Sequence, residues 1–276
     1  MAEELTVIIV ELLGGKATKQ CVQAVRSQTG NLLIVRRDGS TVDEEGRLVE
    51  GPGVTGIPAK RRRAVELARS PLVALLEDIV VPSDGWAGAV CRSFHDSAAV
   101  ACGGPVQIGA KLPASSRALA LSEYGTYGPC RIAAEVPSLP GCNFAFRRDP
   151  LLRAMSGTEG LVDGDVFHAL REDGGRMVWA PEMSVTFSHP FPEGARLKTR
   201  FDHGRLYGSS SKSRALSAAK APLLPMVLTA RAIGARNSLP GLSTIGWLLL
   251  QQTAWAAGEF VGALAGLPKG GFARWR

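Results

Sequence analysis

The chain's first two thirds alternate between short apolar runs and amphipathic stretches. Leu5–Val10, Leu32–Val35 and Val73–Leu76 are short apolar runs bounded by turn residues, the pattern of strands buried on both faces of a parallel sheet. Between the first two, Lys16–Gln28 carries Cys21, Val22 and Val25 near helical spacing, which predicts a βαβ unit with a right-handed crossover. Thr41–Pro58 is charged and rich in Gly and Pro, so it reads as loop with at most a short hairpin. Ala59–Ser70 predicts a helix with Ala64, Val65, Leu67 and Ala68 on its apolar side and a basic first half. A helix from Asp84-Gly85-Trp86 to about His95 and a strand at Ala98–Cys102 complete an α/β alternation that argues for an open, doubly wound, mostly parallel sheet.

From Ala114 the pattern changes. SSRALALSEYGTYGP predicts a helix breaking into a loop, and Glu135–Arg148 a loop feeding a strand. Asp149 and Pro150 suit the start of a helix to Met155. An acid- and Gly-rich loop enters the helix Val166–Asp173, closed by Gly174-Gly175, and short strands at Met177–Trp179 and Ser184–Phe187 lead to His189. Residues 191–220 are basic and Gly/Ser-rich, which predicts a mobile linker, and 221–276 an apolar helical tail. Within it Leu239–Ala257 is free of charge and close to the roughly 20 residues that span a bilayer. Gln251, Gln252 and Glu259 count against a clean span, while Trp247 and Trp255 suit an interface. The expected division is therefore 1–190, 191–220 and 221–276, with the tail associated with a membrane.

Composition adds less. The 276 residues suit one large domain with an appendage, and the formal charge of +7 favours anionic partners without choosing among nucleotide diphosphates, acidic lipids and nucleic acid. Five cysteines without metal-ligand spacing suggest a reducing compartment rather than a disulfide framework. The acidic start MAEEL before the first apolar run reads as the approach to a strand, not as a signal peptide.

Candidate chemistry gathers where the third strand ends. Glu77 and Asp78 follow Val73–Leu76, and ligands of open α/β sheets collect at the carboxyl ends of strands. The basic run Lys60–Arg63 has three readings: a solvated helix face, a nucleic-acid patch, or a face from which one arginine points into a nucleotide site. Asp38-Gly39 reads equally as an Asx turn.

In this order the motifs resemble inverting family 2 glycosyltransferases of the GT-A fold over about residues 5–190. TVIIV resembles the family's first strand, IVRRDGS its IVVDDGS, RRRAVELARSPLVALLED its ARNxGIxxAxGxYIxFLDxD, LPGCNFAFRR its GxNxAFRR, and the string from Gly160 to His189 its GEDxxLxxRL…H region. The resemblance implies an α/β, GT-A type sheet that moves a sugar from a nucleotide diphosphate-sugar to a glycan or lipid-linked hydroxyl acceptor. It implies Asp38 on the base, with Glu11, Arg62 and Glu77 beside the nucleotide, Gly141 and Asn143 under the sugar, and Asp163 as catalytic base with Asp165 as its substitute. A divalent metal, Mn2+ or Mg2+, would fall to Asp78 and His189. Ile79 stands where the family's metal-binding acid is usual, so Arg200 and Arg205 would otherwise neutralise the diphosphate. A subgroup with a Glu-Asp-His triplet at this strand end, and a WAxGExxGYLxG ending similar to Ala254–Gly266, is closer. Such a protein would work on the cytoplasmic face of the cell membrane, with no nucleic acid. Two rivals stay open: a degenerate transferase that only binds nucleotide sugars, motivated by Arg37, Ile79 and Val162, and a nucleotidyltransferase, which should carry a Gly-rich basic loop that ELLGGKATK matches poorly.

Overall fold

A computed structural model describes residues 4–43, 45–54, 56–95, 98–129, 134–158, 160–191, 193–211, 213–234 and 239–267, excepting the side chains of 193–196 and 210. The elements, in order, are β1 (Leu5–Val10), α1 (Lys16–Arg26), β2 (Leu32–Val35), β3 (Thr41–Asp43), β4 (Leu48–Glu50), α2 (Ile57–Leu67), β5 (Leu72–Glu77), β6 (Val80–Pro82), α3 (Trp86–His95), β7 (Ala99–Gly103), β8 (Val106–Ile108), α4 (Ala114–Tyr124), β9 (Asn143–Arg147), α5 (Arg148–Ala154), α6 (Asp163–Glu172), β10 (Arg176–Trp179), β11 (Val185–Phe187), α7 (Glu193–Ser210), α8 (Arg214–Lys220), a 3-10 turn at Ala221–Leu223, α9 (Leu224–Gly234) and α10 (Leu242–Ala265).

Eight strands form one sheet in the order β10-β7-β9-β5-β1-β2-β3-β4. β1 lies between β2 and β5, parallel to both. β9 enters antiparallel between β5 and β7, β3 antiparallel to β2, and the rest of the sheet runs one way. β1 and β5 are buried at every position, which is why their sequences, apart from Thr6 and the terminal Glu77, are apolar runs rather than alternating ones. The hairpin anticipated within Thr41–Pro58 is present as β3 and β4, and it extends the sheet. A second sheet, β6-β11-β8, was not legible in the sequence: two of its three-residue strands, β6 and β8, lie beside Pro and Gly and carry no period of their own.

The topology brings several loops to one edge. Glu77 ends β5 beside Val10 of β1, Val10 pairs with Val35 of β2, and Asn143, the first residue of β9, pairs with Leu76. Loops 11–15, 36–40, 78–79 and 139–142 therefore open at the same end of the sheet. Helix α2 reaches it with Pro58 in its first turn, a position where the missing N–H costs nothing. Helix α6 reaches it with its acidic first turn.

The chain divides into two compact units, one of Met1–Gln107 with Pro129–Ser188 and one of Ile108–Gly128 with His189–Gly271. The second is helical. Its small apolar cluster joins Ala118 and Leu121 of α4 to Ala232 of α9 and Leu248 of α10, so α4 sorts with the tail rather than with the sheet. The stretch 191–220, expected as a mobile linker, holds helices α7 and α8. Glycines explain how α7 folds here. A Cβ on Gly204 or Gly208 would overlap the backbone of Trp255 or Glu259 in α10, and one on Gly258 or Gly262 would overlap Phe201 or Arg205 in α7. Two glycine pairs at four-residue spacing thus let the two helix backbones meet.

Candidate functional site

Asp78 follows β5 directly and has no exposed surface. The β1–α1 loop closes over it. Oδ1 accepts the N–H groups of Leu12 (2.9 Å) and Leu13 (3.1 Å), and Oδ2 those of Leu13 (3.1 Å) and Gly14 (2.7 Å). Thr18 Oγ1 lies 2.9 Å from Asp78 Oδ2 and 3.0 Å from Glu11 Oε1 and gives its single hydrogen to one of them. A carboxylate facing that many donors is an anchor for the loop, and its lone pairs are occupied. The expectation that Asp78 ligates a metal is corrected on that ground.

Arg61 of α2 ties three elements together. Its Nη2 donates to Glu77 Oε1 (2.5 Å) and to the Gly141 carbonyl (2.9 Å), its Nη1 to Asp163 Oδ1 (2.9 Å), and its guanidinium carbon lies 5.5 Å from the centroid of the Phe144 ring. Arg61 and Glu77 are buried; Asp163 remains a third exposed. Asp163 is the first residue of α6 but makes no capping bond, so its carboxylate serves the site instead. Loss of hydration pushes Asp163 above the usual carboxylate range, with Arg61 pulling the other way. Its Oδ2 lies where a Cβ on residue 141 would stand, which gives Gly141 a physical reason to be glycine.

The sequence expectation had chosen Arg62. That side chain instead bonds Glu66 Oε1 (3.0 Å) and the Met155 and Thr158 carbonyls, bracing α2 against the loop after α5. The distinguishing signal was in the helix period: Arg61, Ala64, Val65 and Ala68 form one buried stripe, and Arg62 falls outside it.

At the rim, Asp38 is exposed and bonded by the Ser40 N–H (2.8 Å) and hydroxyl (2.7 Å), the Asx turn that Asp-Gly suggested. Those bonds hold its carboxyl below the usual range. Glu11 Oε2 accepts the Arg37 N–H (3.2 Å), and Lys60 Nζ donates to the Arg37 carbonyl (2.6 Å). Partial burial draws Lys60 below its ordinary value, against the pull of Asp38 and Glu11. Lys60 thus lies at this rim, a position that the sequence reading left inside the basic run Lys60–Arg63.

Other expected positions are occupied differently. Asn143 is fully buried, accepting from Trp86 Nε1 (2.9 Å) and donating to the Gly104 (3.2 Å) and Met183 (2.7 Å) carbonyls, so its amide is committed to structure and not offered to a sugar. Asp165 is exposed on the first turn of α6. Arg200, within the helical unit, bonds Glu123 Oε1 and Gln252 Oε1 (2.8 Å) and lies 4.4 Å from the centroid of the Trp255 ring, while Arg205 Nε bonds the Gly266 carbonyl (2.9 Å). Both cations expected for a diphosphate are thus held by neighbours of the helical unit. His189 follows Ser188, whose N–H bonds the Ile79 carbonyl (3.1 Å).

A divalent ion needs several open oxygen or imidazole ligands. Among the described residues no three of His, Cys, Asp and Glu stand together to hold one. Asp78 is saturated and Ile79 is a buried apolar residue, so these residues do not fit a metal.

Comparison with solved structures defines the class of fold. The mannosyltransferase PcManGT from Pyrobaculum calidifontis, solved with GDP-Man and Mn2+, superposes with a TM-score of 0.52 at 15% identity over 95% of this chain and 74% of that one. GalNAc-T7, solved with UDP, GalNAc and Mn2+, gives 0.53 at 10% identity over 78% of this chain and 50% of that one. The chain has the GT-A fold of these glycosyltransferases. No protein-family model matches it, and no curated protein matches it in sequence.

Proposed function

We propose that the protein is a glycosyltransferase that moves a sugar from a nucleotide diphosphate donor to a hydroxyl acceptor with inversion at the anomeric carbon. The observation that carries this reading is Asp163. It is a partly exposed carboxylate with a raised pKa, aimed over Gly141 at the loop-lined end of a GT-A sheet. A base at that place takes the acceptor's proton as its oxygen attacks the anomeric carbon opposite the departing diphosphate. Arg61 holds Oδ1 of Asp163, leaving Oδ2 to receive the proton. Glu11 and the Asp38 turn form the rim against which a nucleotide base and ribose would lie, and Lys60 supplies a positive charge there. The Mn2+ in both neighbouring structures belongs to those proteins, and no step here is drawn through a metal.

The acceptor in this reading is a glycan or a lipid-linked sugar, met at the inner face of the cell membrane. The test is release of nucleoside diphosphate from a panel of UDP-, GDP- and dTDP-sugars, with and without Mn2+ and with a chelator. Turnover abolished by Asp163→Asn supports the proposal. Silence on every donor overturns it, and nucleotide-sugar binding without turnover, unchanged in Asp163→Asn, assigns the chain to the binding-protein reading instead.

A further inference from the structure

Two helices of the helical unit bury polar side chains and expose large apolar ones. Helix α10 buries Thr244, Gln251, Gln252 and Glu259, with Gln251 Nε2 bonded to the Ser115 carbonyl (2.9 Å) and Glu259 Oε2 accepting from Trp255 Nε1 (3.1 Å). Its large apolar side chains Leu250, Phe260 and Leu264 point out, the last 65% exposed. Helix α9 repeats the theme. Thr229 and Ala232 face inward, while Met226 and Val227, with Leu223 of the preceding 3-10 turn, form an outward stripe, 69%, 47% and 67% exposed. Leu239 and Leu242 add to the exposed apolar surface of this unit, at 82% and 88%. In water such a surface is costly; against hydrocarbon it is favourable, and buried polar groups with partners are what lipid-facing helices keep inside.

Charge selects the occupant. Between Asp202 and Glu259 the sequence contains no acidic residue, yet it carries six Lys and Arg. Three of these, Arg214 and Lys220 on α8 and Arg231 on α9, are exposed on either side of the stripe in sequence. Hydrophobic side chains beside exposed positive charge complement an anionic lipid surface.

We propose that α8, α9 and the outer face of α10 form a lipid-docking surface for an anionic bilayer. Arg214–Gly234 is, among the described residues, the stretch long and apolar enough to cross a membrane, with 22% of it buried. It lies in the interface rather than across it. The stretch is broken by a 3-10 turn with Pro222 and Pro225 at its middle, it carries three cations, and Thr229 and Ala232 anchor its inner side. This places the docking stripe upstream of Leu239–Ala257, the segment whose lack of charge first suggested a membrane. The inference stands apart from the proposed transfer activity, since vesicle binding is read without turnover.

The test is flotation of the purified full chain with phosphatidylcholine vesicles, with and without phosphatidylglycerol. The expected result is flotation with the anionic vesicles that weakens with salt, and a bound fraction about tenfold lower in the Leu223→Glu/Met226→Glu double variant. Lys220→Ala and Arg231→Ala should each weaken binding about fivefold. Leu48→Glu, an exposed apolar position on β4, is the control that should bind as the parent does, and circular dichroism confirms that each variant folds. Failure to float with either vesicle, or a double variant that floats unchanged, overturns the proposal. So does a dimer in light scattering that the double variant converts to monomer without any vesicle binding, which would make a second copy the occupant.

Discussion

Asp163 and Asp78 are both carboxylates at the mouth of the same sheet, and their surroundings assign them opposite work. In the proposed transfer Asp163 must be ionised to accept a proton, so its raised pKa should place the acid limb of activity above the ordinary carboxylate range. Asp163→Asn should lower turnover by about 10²–10⁴ while leaving the fold intact, measured by product release and thermal melting. Removing Arg61 takes away the group that holds Asp163 down. In Arg61→Ala the acid limb should therefore move to higher pH, with a stability loss of about 3–5 kcal/mol from breaking the buried ion pair with Glu77, seen in urea titration. The same raised pKa has a thermodynamic sign: Asp163's stabilising contribution is full below its unfolded pKa, about 3.9, and is lost as pH rises through its folded value. Asp78→Ala strands the N–H groups of Leu12, Leu13 and Gly14, each costing about 1–3 kcal/mol when buried. The expected outcome is a protein several kcal/mol less stable, measured by chemical denaturation, and not merely a weaker binder.

At the level of elements, the sequence showed where strands and helices lie far better than which face of each is used. β1, β2, β5 and β9 were readable because apolar runs bounded by turns have few alternatives, and α2 because its period is regular. The choice between Arg61 and Arg62 is a rotation of about 100° on that helix, and only the buried stripe Arg61, Ala64, Val65 and Ala68 decides it. α7 was masked by its Gly/Ser-rich composition. Its glycines read as flexibility until the partner helix is present, when they become the contact surface with α10. Gly258→Ala places a methyl group against the Phe201 carbonyl, so it should destabilise the protein by at least about 1–3 kcal/mol, read as a lowered melting temperature, whereas Gly246→Ala, with open space at its Cβ position, should not.

For the molecule as a whole, basic charge and apolar content set the partners' general character, and burial sets reactivity. Cys21, Cys91, Cys102 and Cys142 are buried thiols, and burial pushes the Cys102 thiol up to about 12. These four should react slowly with a thiol reagent in the native protein and quickly after denaturation, which a colorimetric titration checks; Cys130 lies outside the described residues. The βαβ opening and the strand-end acids followed from the sequence, because periodicity and turn chemistry act over a few residues; Asp163 came from the family resemblance, and the helix expected from Val166 in fact begins at Asp163. Which acid is free did not. Asp78 is closed by backbone amides some 65 positions earlier in the chain, Asn143 by an indole and two distant carbonyls, and Asp163 is positioned by an arginine 102 residues away. A side chain's availability for chemistry depends on the donors the fold brings to it, and that is settled only when the sheet, its loops and its helices are assembled.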